Sequence, residues 1–191
     1  MADARCRAIS WTRIWDKNRE GTGLEHLLLR EGSADSVVLA FDEAGRPFRL
    51  AYQLAWDEAW RLRDARLVVT TERETRSLRL ETDGKGHWRD GEARALPELQ
   101  GCLDIDIWPT PFTNTFPIRR RPMAIGERLE FVMAWVSAPE LIVRPVRQGY
   151  TRLADRLYVY ENLDGSGFRA ELPIDENDVV LDYQGVFRRI G

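Results

Sequence analysis

Antiparallel β-sheet is the fold class this sequence predicts, on three observations. Apolar residues recur at period two over segments of about 5–10 residues. Those segments are bounded by Gly, Pro, Asp or Asn. No window carries the sustained 3.6-residue period of a long helix. In chain order, strands are expected over residues 9–15, where Trp11, Arg13 and Trp15 share a face, and over 23–30 and 36–41, which Glu31-Gly32-Ser33 splits. After Gly45-Arg46-Pro47, residues 48–56 alternate again. Residues 61–70 and 75–81 follow, with Leu78 and Leu80 opposite Arg79 and Glu81. Asp57-Glu58-Ala59-Trp60-Arg61 reads as strand running on into Leu62 and Asp64, with a short helix as the alternative. Further strands are expected over residues 128–136, 141–146, 156–160, 168–172 and 179–183, and a short helix over 113–120.

Composition bounds what such a fold can do. With 43% hydrophobic and 31% charged residues, the 191-residue chain has ordinary globular balance and room for one domain over residues 1–191. The longest unbroken apolar run, residues 131–136, is far below the ~18 that a membrane-spanning helix needs. Residues 1–10 lack the apolar core of a secretory signal, and Cys6 and Cys102 suggest no disulfide framework, so a cytoplasmic protein is expected. A net charge of -3 argues against nucleic acid as a partner. Of 28 basic residues only Lys17 and Lys85 are lysines; the arginines suit either anion recognition or solvated strand faces. Seven tryptophans mean large aromatic surfaces to bury or to offer to a ligand.

An internal echo runs through the chain. Residues 80–88 and 159–168 each place an Asp-Gly-x-Gly turn between a strand and an aromatic residue. Leu96-Pro97 then matches Leu172-Pro173, and Leu103-Asp104-Ile105 matches Leu181-Asp182-Tyr183, all about 80 residues apart. Two related β-halves, about 9–110 and 111–191, would account for this pattern.

Chemistry concentrates in residues 101–122. Four prolines there exclude a central ladder, so the segment reads as an irregular crossing between sheets. Thr113, Asn114 and Thr115 either satisfy that irregular backbone or present hydrogen-bonding groups to a ligand. Asp104 and Asp106, at i and i+2, share a strand face; they can act as an acid–base pair, or as partners of Arg119, Arg120 or Arg121 or of sugar hydroxyls. The sequence has no nucleophile elbow, phosphate loop or metalloprotease motif. Its two histidines, His26 and His87, lie far apart; His26 is expected to pack inside and His87 to be exposed beside its turn. No metal and no cofactor are expected. Residues 128–136 turn from polar to apolar on both faces, as a strand buried between layers would, or one lining an apolar cavity.

These residues carry a resemblance. Cys102-Leu103-Asp104-Ile105-Asp106, Thr110-Pro111, Thr113-Asn114-Thr115 and Pro117-Ile118-Arg119-Arg120 together resemble the signature of a bacterial family described as putative glycolipid-binding proteins. Tyr52, Trp56-Asp57, Trp60, Ala134-Trp135-Val136 with Pro139, Gln148, Tyr150, and residues 180–183 with Phe187 extend it over about residues 15–188. Phe116, where a leucine is usual, and Arg121, where an aliphatic residue is usual, depart from it. The resemblance implies a spiral β-roll, a highly curved antiparallel sheet or open half-barrel with few short helices and a hydrophobic cleft. It implies non-catalytic binding of a glycolipid or other amphiphile. Met133 and Trp135 would meet the acyl part. Asp104, Asp106, Asn114, Arg119 and Arg120 would meet the head, with Trp108 stacked on a sugar and Thr113, Thr115 and Tyr150 completing the site. A hydrolase or isomerase using Asp104 and Asp106, and a module that adds a partner's strand to its sheet edge, are the alternatives.

Overall fold

The computed structural model describes residues 6–13 and 23–191; Trp15 and Lys17 lie outside the described residues. The chain forms β1 (Arg7–Arg13), β2 (Gly23–Arg30), β3 (Ser33–Phe41), β4 (Pro47–Trp56), β5 (Leu62–Thr70), β6 (Thr75–Thr82) and β7 (Trp88–Asp90). After β8 (Asp104–Ile107) and the helix α1 (Thr115–Arg120) come β9 (Arg128–Val136), β10 (Val143–Ala154) and β11 (Leu157–Asn162). β12 (Arg169–Pro173), β13 (Asp182–Tyr183) and β14 (Phe187–Arg189) complete the order. Nine strands make one antiparallel sheet, β13-β14-β1-β2-β3-β4-β5-β6-β7, and five make a second, β12-β11-β10-β9-β8. One is a large antiparallel sheet and one is curled into a half-barrel, so the all-β expectation holds.

Alternation places the core. β4 turns Phe48, Leu50, Tyr52, Leu54 and Trp56 inward, and β5 does the same with Leu62, Ala65, Leu67 and Val69. Each large apolar side chain so buried contributes about 1.5–3 kcal/mol. β9 is closed on both faces at its end, with Met133 and Ala134 fully buried on opposite sides. The layers that bury it are the protein's own.

Several elements differ from expectation for identifiable reasons. Residues 57–61 form a turn between β4 and β5, not a strand. The Asp57 carboxylate accepts from the amides of Ala59 (3.0 Å) and Arg61 (2.9 Å), and Trp60 adopts φ 58°, which breaks the ladder. β8 pairs with β9 in parallel, because the connection between them through α1 is long enough to carry the chain back to the starting end. β10 runs well past residue 146: Pro145 sits opposite Ala134 of β9, at a point β11 does not reach, so no bond is lost on its open side. Of residues 179–183 only Asp182 and Tyr183 are strand, with an isolated bridge at Val180. His26 points outward and is exposed, not packed, within 3.2 Å of Ser10 Oγ. His87 is exposed as expected, with Nδ1 2.7 Å from Asp83. Both Asp-Gly-x-Gly segments close antiparallel hairpins, β6–β7 and β11–β12, each ending on the last strand of its sheet.

Candidate functional site

The crossing from β7 to α1 is held from within. Asp104 is fully buried and takes a two-point grip from Arg120, Nε at 2.8 Å and Nη2 at 2.6 Å. Arg120 in turn lies 5.6 Å over the Phe131 ring. Burial raises the Asp104 carboxyl, and the Arg120 contact opposes that rise. Asp106 shares the strand face but takes other partners: Thr113 Oγ1 donates at 3.1 Å and Gln148 Nε2 at 2.6 Å. Its pKa is likewise raised by burial and restrained by those two donors. Neither carboxylate bonds the other in these contacts. Thr113 Oγ1 also accepts from the Ile107 amide (3.2 Å), the Asn114 amide nitrogen donates to Pro111 O (3.1 Å), and Tyr150 donates to Asn114 Oδ1 (2.8 Å).

Of the residues expected to form a ligand's polar and apolar contacts, Asp104, Thr113, Asn114, Thr115, Met133 and Tyr150 are closed to solvent. Asp106, Trp108, Arg119, Arg120 and Trp135 are half-buried. Arg119 stacks 4.7 Å over Trp60 and pairs with Asp178 at 3.1 Å; Arg144 stacks 4.7 Å over Trp135. Cys102 is buried, its thiol pushed up to about 11 by that burial.

One buried acid escaped the sequence reading. Glu25, on the inward phase of β2, is 1% exposed. Its Oε1 accepts from Tyr52 (2.5 Å), Ser36 (2.8 Å) and Thr110 (2.9 Å), whereas Oε2 has no partner. Loss of water outweighs the three hydroxyls, and the carboxyl rises to about 7. Its position two residues before buried Leu27 was the available signal.

Two open cavities lie away from this crossing, at one end of the nine-stranded sheet. A groove of about 650 Å3 is lined by Leu24, Leu39, Ala40, Phe41, Pro47 and Phe48, with Arg49 and Thr70 at its polar side. Leu24, Leu39 and Phe41 are 42%, 51% and 39% exposed, and Leu24 pairs directly with Leu39 across β2 and β3. Residues 37–41 are apolar on both strand phases, a signal that an outward apolar stripe was present. Pro47, Phe48 and Thr71 are shared with a second cleft of about 250 Å3. Three turns build that cleft. Asp42 caps the β3–β4 turn by accepting from the Arg46 amide (2.8 Å), and Thr71 Oγ1 accepts from Glu74 N (3.2 Å) in the β5–β6 turn. Ser137 O accepts from Leu141 N (2.9 Å) in the β9–β10 turn, which presents Pro139 and Glu140 from the other sheet. Among the described residues, no three His, Cys, Asp or Glu side chains converge as a metal site would need, and no helix is long and apolar enough to cross a membrane.

A family model described as "Putative glycolipid-binding" matches residues 12–189. The fold is also similar to the crystal structure of a DUF1089 family protein from Pseudomonas aeruginosa. That chain is 48% identical, with a TM-score of 0.87 over 92% of this chain and 97% of the other. No curated protein matches.

Proposed function

The chain belongs to the family described as putative glycolipid-binding, and from that premise we propose that it binds an amphiphile, with the hydrocarbon part lying in the groove over Leu24, Leu39 and Phe41. The observation that carries this reading is the groove itself. At about 650 Å3 it falls within the size range of small-molecule sites, roughly 300–1,000 Å3. Leu24, Leu39 and Phe41 stand in water on the outward side of a sheet whose inward side chains are buried. The expected residues divide in this reading. Asp104, Thr113, Asn114, Thr115, Met133 and Tyr150 hold the crossing in shape. Trp108 is the member nearest the groove by contact: Arg13 lies 5.0 Å over its ring and donates to Phe41 O at 3.2 Å.

Calorimetric titration with monomeric dodecyl maltoside tests the reading. Binding with a negative heat-capacity change is expected, the mark of apolar surface leaving water. Leu39→Asp, at an exposed position, is expected to weaken it about tenfold or more. No heat from the parent with dodecyl maltoside, dodecyl phosphocholine or dodecyl phosphate at each of several temperatures would overturn it.

A further inference from the structure

The apolar groove carries a single charge. Among the described residues that line it, Arg49 is the only ionisable side chain, and the polar remainder is three threonines, Thr12, Thr70 and Thr71. Register sets their places. Leu24 pairs with Leu39, Leu39 with Arg49 and Arg49 with Thr70, so these four stand in one row across β2 to β5. At about 4.8 Å between neighbouring strands, the Arg49 backbone lies roughly 10 Å from that of Leu24 along the row. Phe41 and Pro47 pair in the same way, two residues nearer the β3–β4 turn.

Arg49 differs from the guanidiniums around it in having no carboxylate. On the same outward face, Arg66 bonds Asp64 at 2.9 Å and Arg79 bonds it at 2.8 Å. Around the second cleft, Arg46 is held by Asp42 at 2.7 Å and Arg76 by Glu74 at 2.5 Å. Arg49 is exposed and makes one hydrogen bond among the described residues, from Nη2 to Thr70 Oγ1 at 3.3 Å. The rest of its N–H groups face outward uncommitted. The hydroxyls divide likewise. Thr12 donates to Gly23 O (3.4 Å) and Thr71 to Glu74 O (3.3 Å), whereas Thr70 accepts from Arg49 and keeps its own O–H. The groove therefore sets hydrogen-bond donors beside an apolar stripe, with no carboxylate or amide side chain in its lining to accept.

We infer that the amphiphile this groove takes is a single-chain carboxylate, its head seated on Arg49 and Thr70 and its chain over Leu39 and Leu24, which deepens the amphiphile reading and rests on it. A carboxylate only accepts hydrogen bonds, and its two oxygens match the fork of one guanidinium in two parallel bonds. Its single charge is the one that Arg49 leaves unbalanced. A head group that must donate finds no acceptor side chain in the lining. A phosphate monoester brings nearly two charges to one guanidinium, and the excess faces a chain of net charge -3. A cationic head would meet Arg49 with like charge.

The test holds the alkyl chain constant and varies the head. Sodium dodecanoate, dodecyl maltoside and dodecyl phosphate, each below its micellar concentration, are titrated into the full-length protein at about pH 8, well above the ordinary carboxyl range. Dodecanoate is expected to bind at least about tenfold more tightly than dodecyl maltoside, and more tightly than dodecyl phosphate. Arg49→Gln, at an exposed position, is expected to lower the affinity for dodecanoate about tenfold. The ratio of dodecanoate to dodecyl maltoside affinity, read on parent and variant alike, should then collapse toward one. Equal binding of these two by the parent overturns this inference and leaves the amphiphile reading standing. Tighter binding of dodecyl phosphate than of dodecanoate, or an affinity ratio that Arg49→Gln leaves unchanged, overturns it too. Binding of none of the three overturns both.

Discussion

Glu25→Gln isolates the most unusual energetic feature of the core. In the folded protein the carboxyl ionises near 7, against 4.5 for an ordinary glutamate. That difference is worth about 3 kcal/mol, at 1.36 kcal/mol for each tenfold change in proton affinity. The sign follows from proton counting. Below about pH 4.5 the acid is protonated in both folded and unfolded chains, so its titration costs nothing. Between about 4.5 and 7 the unfolded chain has lost the proton and the folded one keeps it, so stability falls as pH rises. Above about 7 the full ~3 kcal/mol has been lost. Glutamine stays neutral throughout and keeps an oxygen for Tyr52, Ser36 and Thr110. Tyr52 is itself pushed well above its ordinary range, by burial first and then by Glu25, so it remains a donor across the window. Urea melts followed by tryptophan emission, run on parent and variant from about pH 4 to about pH 9, give the difference directly, since every other titrating group cancels. The variant is expected to match the parent within about 1 kcal/mol at the acidic end and to gain on it by about 3 kcal/mol at the basic end. A difference that does not change with pH, or one that favours the variant more as pH falls, refutes the reasoning and means Glu25 is charged and well solvated.

Asp104→Asn is expected to lower stability by about 3 kcal/mol, because it leaves the Arg120 guanidinium facing an uncharged amide in a buried site; denaturant melts overlaying the parent would show that the pair contributes little. The two hairpin glycines Gly86 and Gly167 separate backbone strain from crowding. Both have positive φ, 95° and 70°, but a Cβ at Gly86 would stand 2.9 Å from the Gly101 Cα, whereas Gly167 meets nothing within 4 Å. Gly167→Ala is expected to cost about 1–2 kcal/mol and Gly86→Ala about 1–3 kcal/mol more. Equal losses in thermal melts would mean the Gly101 loop yields freely.

Much of the architecture was legible because strands announce themselves by period. The segments around β2 to β6, β9 and the two Asp-Gly-x-Gly hairpins all follow from alternation and turn chemistry acting on neighbours in the chain. The short helix at Thr115–Arg120 and the irregular crossing before it follow from local prolines and polar residues. Where period failed, the competing interaction was local but weakly signalled: Asp57 capping its own turn ended a strand that the apolar pattern would have extended.

What the sequence by itself determined is therefore the all-β class, the inward faces of its strands and, through the motif at residues 102–120, the family. Only the tertiary structure decided which polar residues meet water. Asp104 and Asp106 read alike in a strand, yet one is sealed against Arg120 and the other is shared between Thr113 and Gln148. Glu25 looks like any strand glutamate until Ser36, Tyr52 and Thr110 close over it from 11, 27 and 85 residues away. Leu39 is an ordinary surface residue until neighbouring strands of the nine-stranded sheet gather Leu24, Phe41 and Pro47 around one groove with it. The physical reason is common to all three: alternation fixes the side of a strand a residue occupies, while burial, and with it charge and access, depends on what a distant segment lays across that side.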